Sequence, residues 1–399
     1  MPKMGWGNPV RSVLHISADY PDAYSQTKTK AILNLVSGTS KLRHRVYSIN
    51  RLNGFGGVQE IGRCGSLITL IYRAPGYGLF LEKFLNVLAD WIVADVLRSE
   101  IQVDLVHAHK FTIEGIAANR ISQALGCPYL CTLRGNTDQK YLRFKPEKHD
   151  TFRRVAEEAT QLLPTSPWIA RDLSKRLKLH ELKTTVLPTI SASDRIIPPS
   201  LEYSRLVTAF HLDFWRPKGL PNLLKALQTL KQDGLEVELD ILGGGADASV
   251  SAVRKLIMKH GLDGQVRLLG AVPHDEIQDR LNRYAAFVLP TLTETFGMVY
   301  IEALFSGIPI LYSADRGVDG YFDEQDIGIR CDPDSVTSIT DGLRRILRRA
   351  PEMKDALSVI QLEGELDHFR KDNVCRTYED LVAQLAKPSE NNPDNWVEQ

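Results

Sequence analysis

Residues 289–311 read LPTLTETFGMVYIEALFSGIPIL, and this stretch predicts a strand end, an acidic loop and a buried helix. Glu294 follows the strand-like run 285–289, and Glu302 lies eight positions later among the apolar residues of the helix. A carboxylate surrounded by apolar side chains is expected to be buried, and a buried charge is costly unless it is hydrogen-bonded. Glu302 therefore needs a partner. A pair of ligand hydroxyls is one candidate, and an internal arginine or backbone donor is the other.

The same alternation of a short apolar run and a helical stretch recurs along the whole chain. In the first half the strand-like runs are residues 12–17, 45–49, 67–72, 105–107, 129–133 and 162–164. In the second half they are residues 206–210, 237–242, 266–269, 285–289, 309–312 and 328–331. Short apolar strands that alternate with amphipathic helices predict parallel sheets covered by helices on both faces. The predicted fold class is therefore α/β, with two Rossmann-like domains.

The domain boundary is predicted in residues 188–204, which are rich in proline and serine and show no helical or strand periodicity. This places an N-terminal domain at residues 1–190 and a C-terminal domain at residues 191–375. A helix at residues 376–388 is expected to pack back toward the N-terminal domain. Residues 389–399 are expected to form a disordered tail.

The composition is that of an ordinary soluble globular protein, with 399 residues of which 43% are apolar and 25% charged. No apolar run is long enough for a transmembrane helix, and the N-terminus lacks the apolar core of a signal peptide. The five cysteines are few and scattered, which favours a reducing cytoplasm. Residues 1–195 hold 27 Lys+Arg against 17 Asp+Glu. This basic half either attracts an anionic substrate or the inner face of a membrane, or simply complements the acidic half.

Candidate ligand-binding residues are sought beyond the carboxyl ends of the strands, where ligands of open parallel sheets bind. Arg216 and Lys218 follow the run 206–210 and stand next to the start of a helix, where cations and free backbone N–H groups suit a diphosphate. A solvated pair of cations is the alternative. Gly297 follows the run 285–289 and has no Cβ, so a phosphate or sugar can approach the backbone amides closely.

A glycine-rich turn follows the run 237–242. Gly243-Gly244-Gly245 begins a G-x-G-x-x-A pattern, which is a loose dinucleotide-binding fingerprint. It gives a second functional hypothesis, a dinucleotide-dependent oxidoreductase. Against this hypothesis, no acidic residue ends a following strand about 20 residues later, where the ribose contact of that motif is found.

Taken together, these motifs resemble the retaining GT-B glycosyltransferases of family 4. The matching elements of the second half are PTLTETFG at 290–297, IEAL at 301–304, SGIP at 306–309, Lys218-Gly219 and LGGG at 242–245. Weaker matches in the first half are DLVHAH at 104–109 and TLRG at 132–135. The resemblance implies a GT-B fold, in which two Rossmann-like domains face a central cleft. It also implies sugar transfer from a nucleotide-sugar donor to a glycan or lipid-linked acceptor, in cell-surface polysaccharide or glycoconjugate synthesis.

The resemblance assigns a role to each matching residue. Glu302 is expected to hold the donor ribose, Glu294 to lie near the transferred sugar, and Lys218 to neutralise the diphosphate. His109, which ends a strand of the first domain, is expected to face the anomeric centre or the sugar from across the cleft. The backbone amides expected to meet the sugar or the diphosphate are those of Phe296, Gly297 and Met298.

Several further expectations accompany these roles. Arg216 is the preferred second phosphate contact, with His211 as the alternative. No metal and no cofactor besides the nucleotide-sugar substrate are expected, and no nucleic-acid partner. His107 and His109 lie on one face of a strand as metal ligands would, but no third ligand is evident nearby.

The place of action is expected to be the cytoplasm, with peripheral contact at the inner face of the membrane as an option. The run KYLRFKP at 140–146 interleaves basic and aromatic residues, which suits a membrane surface or an anionic lipid-linked acceptor. A solvated loop is the alternative for this run. A non-catalytic protein that retains the fold and binds a nucleotide sugar is the third functional hypothesis.

Overall fold

The structure, a computed structural model, describes residues 10–25, 28–191, 193–201 and 204–386. The chain forms two compact units. Unit 1 comprises the described residues of Met1–Thr165, Ala170–Leu187 and Val374–Gln399, and unit 2 comprises those of Ser166–Ile169 and Pro188–Asn373. The tail predicted for residues 389–399 lies outside the described residues.

Unit 1 is built around a seven-stranded sheet with the strand order β3-β4-β2-β1-β5-β6-β7. Its strands are β1 (Ser12–Ser17), β2 (Arg43–Leu52), β3 (Val58–Cys64), β4 (Leu67–Arg73), β5 (Leu105–Ala108), β6 (Tyr129–Leu133) and β7 (Gln161–Pro164). Its helices are α1 (Ala31–Gly38), α2 (Leu81–Arg98), α3 (Glu114–Leu125), α4 (Gly135–Phe144), α5 (His149–Glu158) and α6 (Pro167–Leu177), which begins in unit 2. The basic and aromatic run 140–146 covers the end of α4, and its membrane contact stays a prediction.

Strand β3 was not expected, and it makes the sheet of unit 1 mixed rather than wholly parallel. It pairs with β4 in antiparallel orientation across a two-residue turn, in which Gly65 has a φ of 56°. A residue without a Cβ adopts such an angle at little cost, which suits a tight hairpin. The strand has the sequence VQEIGRC and its residues alternate between half-buried and exposed, so it lacks the apolar run that marks a fully buried strand.

Unit 2 is built around a six-stranded, wholly parallel sheet with the order β10-β9-β8-β11-β12-β13. Its strands are β8 (Arg205–Ala209), β9 (Glu238–Leu242), β10 (Val266–Gly270), β11 (Ala286–Val288), β12 (Ile310–Ser313) and β13 (Gly328–Cys331). Its helices are α7 (Leu220–Gln232), α8 (Asp247–Lys259), α9 (Ile277–Leu281), α10 (Met298–Phe305) and α11 (Val336–Leu362). The six strands predicted for the second half are all observed, each within one residue at either end.

Apolar side chains cover both faces of the sheet in unit 2. Leu206 and Val288 pack on one face with the leucines of α7, while Val207 and Phe287 pack on the other face with residues of α10. The buried leucines of α7 are those of the predicted helix face, Leu220, Leu223, Leu224, Leu227 and Leu230. Full burial of one such side chain stabilises the fold by roughly 1.5–3 kcal/mol. The predicted α/β class with two Rossmann-like domains is confirmed.

The last helix, α12 (Lys371–Leu385), starts five residues before the helix predicted at 376–388. From Val374 onward it belongs to unit 1, where the Tyr378 hydroxyl lies 2.8 Å from Nδ1 of His107. Residues 166–169 belong to unit 2, where the Trp168 indole donates to the carbonyl oxygen of Gly317 at 3.0 Å. None of the helices in the described part of the chain is both long and apolar enough to cross a bilayer.

Candidate active site

Two loops at the carboxyl edge of the sheet in unit 2 are joined backbone to backbone. The loop after β8 ends at Gly219, whose φ is 75° and whose Cβ, if it had one, would lie 1.8 Å from the carbonyl oxygen of Pro290. The carbonyl oxygen of Pro217 accepts a hydrogen bond from the backbone N–H of Leu292 at 2.9 Å. The loop after β11 is therefore fixed against the loop that carries the two predicted phosphate contacts.

The structure brings Lys218 and Glu294 together as an ion pair. The Lys218 ammonium donates to Oε2 of Glu294 at 2.5 Å, and the side chains are 24% and 17% exposed. Glu294 Oε1 also accepts a hydrogen bond from the backbone N–H of Thr295 at 3.2 Å. The sequence suggested separate roles for these two residues. In the structure, the carboxylate near the predicted sugar position orients the cation predicted to meet the diphosphate.

Gly297 marks the start of α10 and has a φ of 77°. A Cβ at this position would lie 2.6 Å from Cδ2 of Tyr300 and 3.1 Å from Cγ of Glu294. The first N–H groups of a helix have no partner within the helix, so they are available to an anion or a hydroxyl. Met298 is partly exposed at this end of the helix, whereas the Phe296 ring is buried against Tyr321.

Glu302 is buried, with only 6% of its surface exposed. Its Oε1 accepts a hydrogen bond from the Ser191 hydroxyl at 2.6 Å. Burial raises the pKa of Glu302, while the Ser191 hydrogen bond and the neighbouring His274 act in the opposite direction. A carboxylate has about four acceptor positions, of which the Ser191 hydroxyl occupies one. Ser191 lies in the segment read as a linker, and nothing in its local sequence indicated this contact.

The cations expected at the diphosphate differ in their surroundings. The guanidinium of Arg216 is exposed and stacks over the Trp215 ring at 4.0 Å from its centroid. His211 is also exposed, with Nδ1 3.6 Å from a carboxylate oxygen of Asp213. A third cation, Arg316 in the loop after β12, was not singled out from the sequence. Its Nε donates to the carbonyl oxygen of Leu292 at 3.0 Å, which places it beside the loop of Glu294.

The glycines of the turn after β9 have a packing role. Gly243 has a φ of 143°, and a Cβ there would lie 1.9 Å from the carbonyl oxygen of Phe210. A Cβ on Gly245 would lie 2.9 Å from Cβ of Leu212. Both glycines thus let the turn after β9 approach the loop after β8. This close approach explains the glycine pattern without a dinucleotide.

In unit 1, His109 follows β5 and belongs to a group of buried imidazoles. Ligand nitrogens of His15, His107 and His109 lie within 4.8 Å of one another. The sequence indicated only His107 and His109, because His15 lies on β1, where the sheet register sets it opposite His107. Burial lowers the pKa of His107 to about 3 and also lowers the pKa values of His15 and His109.

The hydrogen bonds of His107 bear on whether this group suits a metal. Its Nδ1 lies 2.8 Å from the Tyr378 hydroxyl, and its Nε2 lies 2.8 Å from the Thr132 hydroxyl. Coordination through His107 would have to break one of these contacts. The donor set of three imidazoles is chemically suited to zinc, but both ring nitrogens of His15 and of His107 are already engaged in hydrogen bonds.

A second buried polar group in unit 1 surrounds Glu114, at the start of α3. Its Oε1 accepts a hydrogen bond from the backbone N–H of Ala18 at 2.7 Å. Burial raises the pKa of Glu114 to about 8, although the nearby Lys110 ammonium acts in the opposite direction. Lys110 itself donates to Asp19 at 2.6 Å. Sequence reasoning did not identify this group, because its members follow different strands.

The architecture and the donor-side geometry define a class of protein, the GT-B glycosyltransferases. Sucrose-phosphate synthase from Thermosynechococcus elongatus superposes with a TM-score of 0.68 at 18% identity, covering 94% of this chain and 99% of that one. The lipopolysaccharide outer core galactosyltransferase WaaB gives 0.66 at 14% identity, covering 94% and 99%. Anabaena HepE in complex with UDP-glucose gives 0.63 at 14% identity, covering 94% and 100%.

The sequence families agree with this class. The family described as Glycosyltransferase Family 4 matches residues 29–190, and the family described as Glycosyl transferases group 1 matches residues 206–358. The chain therefore belongs to family 4 of the glycosyltransferases, and the predicted membership of the GT-B glycosyltransferases of this family is confirmed.

Two bacterial relatives illustrate the family. The putative teichuronic acid biosynthesis glycosyltransferase TuaC of Bacillus subtilis (strain 168) is 25% identical over 302 residues, which cover 72% of this chain and 73% of the relative. The D-inositol 3-phosphate glycosyltransferase of Arthrobacter sp. (strain FB24) is 26% identical over 233 residues, covering 54% and 55%.

Proposed function

We propose that this glycosyltransferase moves a sugar from a nucleotide-sugar donor to a glycan or lipid-linked acceptor, in cell-surface polysaccharide or glycoconjugate synthesis. The observation that carries the proposal is the cluster at the carboxyl edge of the sheet in unit 2. There the Lys218–Glu294 ion pair adjoins the start of α10, whose second turn bears the buried Glu302. Support for the donor class comes from HepE, whose structure holds UDP-glucose, and support for the pathway class comes from TuaC.

The donor would be held by complementary charges. Glu302 would accept hydrogen bonds from the ribose hydroxyls, because its carboxylate has acceptor positions beyond the one that Ser191 occupies. Lys218 would bind the diphosphate, assisted by Arg316 or Arg216 and by the first amides of α10. Such fixed positive groups stabilise the charge that grows on a leaving diphosphate.

We further propose that the reaction retains the anomeric configuration and uses no metal. The bond from the anomeric carbon to the diphosphate oxygen breaks, and the bond from that carbon to the acceptor oxygen forms on the same face. The acceptor proton passes to the departing phosphate oxygen, so no separate base is needed. Glu294 would orient the transferred sugar, and His109 would hydrogen-bond a sugar hydroxyl.

The experiment is a thermal-shift screen with UDP-, GDP-, ADP- and dTDP-glucose, followed by turnover measured as nucleotide release in the presence of EDTA. A nucleotide sugar at 100 times its dissociation constant should stabilise the protein by about 2.7 kcal/mol. Stabilisation without any sugar release would favour the non-catalytic hypothesis. Loss of activity in EDTA, restored by a divalent metal, would refute metal independence. An inverted product, seen in its anomeric NMR signal, would refute retention.

A further inference from the structure

Three imidazoles in unit 1 form a hydrogen-bonded row that runs from His109 through His15 to His44. Nε2 of His109 lies 3.0 Å from Nδ1 of His15, and Nε2 of His15 lies 2.9 Å from Nδ1 of His44. The row ends where Nε2 of His44 lies 3.0 Å from the carbonyl oxygen of Thr39. His15 and His109 are buried, and His44 is half-buried.

The end of the row fixes where every proton lies. A carbonyl oxygen only accepts hydrogen bonds, so the contact with Thr39 requires a proton on Nε2 of His44. The Thr39 hydroxyl donates its own proton to the carbonyl oxygen of Leu35 at 2.8 Å, so it too accepts from His44, at 3.1 Å. Nδ1 of a neutral His44 is then an acceptor, and it takes the Nε2 proton of His15.

The same reasoning passes along the row to His109. Nδ1 of a neutral His15 is an acceptor and takes the Nε2 proton of His109. Burial lowers the pKa values of all three imidazoles, which keeps the row neutral at pH 7. His109 is thereby held with its proton on Nε2 and a lone pair on Nδ1. Within the described parts of the chain, no side chain or backbone group hydrogen-bonds this Nδ1.

We propose that His15 and His44 are positioning residues, which hold His109 in the Nε2–H tautomer so that its Nδ1 accepts a hydrogen bond from a hydroxyl of a bound sugar. The identity of that sugar rests on the proposed function. The assignment of the His109 tautomer does not depend on it. The opposite tautomer would present an N–H group, which would suit a carbonyl, an anion or the oxygen of a hydroxyl. The row thus selects a hydrogen-bond donor, such as a hydroxyl, at this position.

A zinc ion held by His15, His107 and His109 is the competing explanation of the cluster. Zinc at about 2.0–2.1 Å from each nitrogen could use the lone pair on Nδ1 of His109, but it would have to break a hydrogen bond of His15, whose two ring nitrogens are both engaged. It would also have to free a nitrogen of His107 from the Tyr378 or the Thr132 hydroxyl. The intact hydrogen bonds favour the proton-ordered row.

The test is a long-range ¹H–¹⁵N correlation spectrum of the full chain labelled at histidine, with the His109 signals assigned from a His109→Asn sample. Wild type should show His109 protonated at Nε2. His15→Leu removes the acceptor and should give a mixture of tautomers. His15→Asn places an amide oxygen near the position of Nδ1 and should restore the wild-type pattern. Tyr378→Phe is the matched control, because it removes a hydrogen bond of the neighbouring His107 and leaves the row intact.

Sugar transfer supplies the second readout. Loss of one neutral hydrogen bond to the sugar corresponds to a decrease in kcat of about 3- to 10-fold in His15→Leu. The affinity for the free nucleotide should be unchanged, and His15→Asn should recover the rate. A wild-type His109 protonated at Nδ1, an unchanged tautomer in His15→Leu, or stoichiometric zinc in the purified protein would each overturn the inference. The spectrum needs no substrate, so a failure of the proposed function would leave the result on the tautomer standing.

Discussion

Replacement of Glu302 with alanine is expected to weaken the binding of the nucleotide-sugar donor by about 10- to 100-fold. In the structure this carboxylate is buried and accepts a hydrogen bond from Ser191. Two ribose hydroxyls would fill further acceptor positions. A hydrogen bond to a charged group contributes about 1.5–3 kcal/mol, and each 1.4 kcal/mol changes the dissociation constant tenfold. The alanine variant loses this contribution and also leaves the Ser191 hydroxyl without its acceptor.

The pH dependence gives the same prediction a second signature. Burial raises the pKa of Glu302 in the folded protein above its ordinary value of 4.5. The ionised carboxylate accepts hydroxyl protons more strongly than the neutral acid, so donor affinity should increase as the pH rises through the raised pKa. The free energy of unfolding of the unliganded protein should instead decrease as the pH rises. The protonated Glu302 side chain stabilises the folded state fully below pH 4.5, and this stabilisation is lost as the pH rises through the raised pKa.

Isothermal titration calorimetry with the nucleotide sugar selected in the thermal-shift screen is the assay. Glu302→Gln keeps the size of the side chain, so it should show an intermediate loss of affinity and no pH dependence from this residue. Glu324→Gln, at an exposed position of unit 2, is the matched control for loss of a negative charge. If both Glu302 variants fold and bind the donor within twofold of wild type, the ribose assignment is wrong.

Three further predictions test the remaining parts of the argument. Lys218→Ala should slow transfer by about 100-fold, measured as nucleotide release, whereas the exposed Lys225→Ala should stay within twofold; a wild-type rate in the first would contradict its role. Gly219→Ala forces a Cβ against a carbonyl and should lower the free energy of unfolding in urea by more than about 1 kcal/mol. At Gly264 a Cβ would lie in open space, so the free energy of unfolding of Gly264→Ala should stay within about 0.5 kcal/mol of wild type. Equal effects of the two glycine substitutions would argue against the clash at Gly219. The pKa of Glu114 rises to about 8 on folding, so the protonated side chain stabilises the folded protein at low pH. This stabilisation is lost as the pH rises from 4.5 to 8. Between pH 4 and pH 8, the free energy of unfolding of Glu114→Gln should therefore increase by on the order of 4 kcal/mol relative to that of wild type. If the urea midpoints of the two proteins change in parallel with pH, this prediction is refuted.

The predictable part of the fold is the part buried on both faces of a sheet. The strands of unit 2 are runs of apolar residues between helices, and each run marks its strand within one residue. Strand β3 was missed because its residues alternate between half-buried and exposed positions at the edge of the sheet. The position of this edge strand depends on its pairing with β4, which the sequence of the strand alone does not encode.

The predictable part of the donor site is the part that follows directly from strand ends. Lys218 and Glu294 could be selected because each lies in the loop after a strand, but their ion pair depends on how two loops meet. The contact of Ser191 with Glu302 joins residues 111 positions apart and lies outside any local pattern. Arg316 was overlooked for the same reason, because its position beside Leu292 depends on the neighbouring strand β12.

The histidine row indicates how some contacts between residues distant in sequence can be predicted. Strand β1 has the sequence SVLHIS, in which His15 is the one titratable residue of a buried strand. A polar group in such a position is costly unless it is hydrogen-bonded, so its presence predicts partners on the strands that flank it. In a parallel sheet those partners must lie near the same level, and the register sets His15 opposite His107 and one strand away from His44. A histidine inside a central strand is therefore a reason to search the neighbouring strands for further polar residues, even before their order is known.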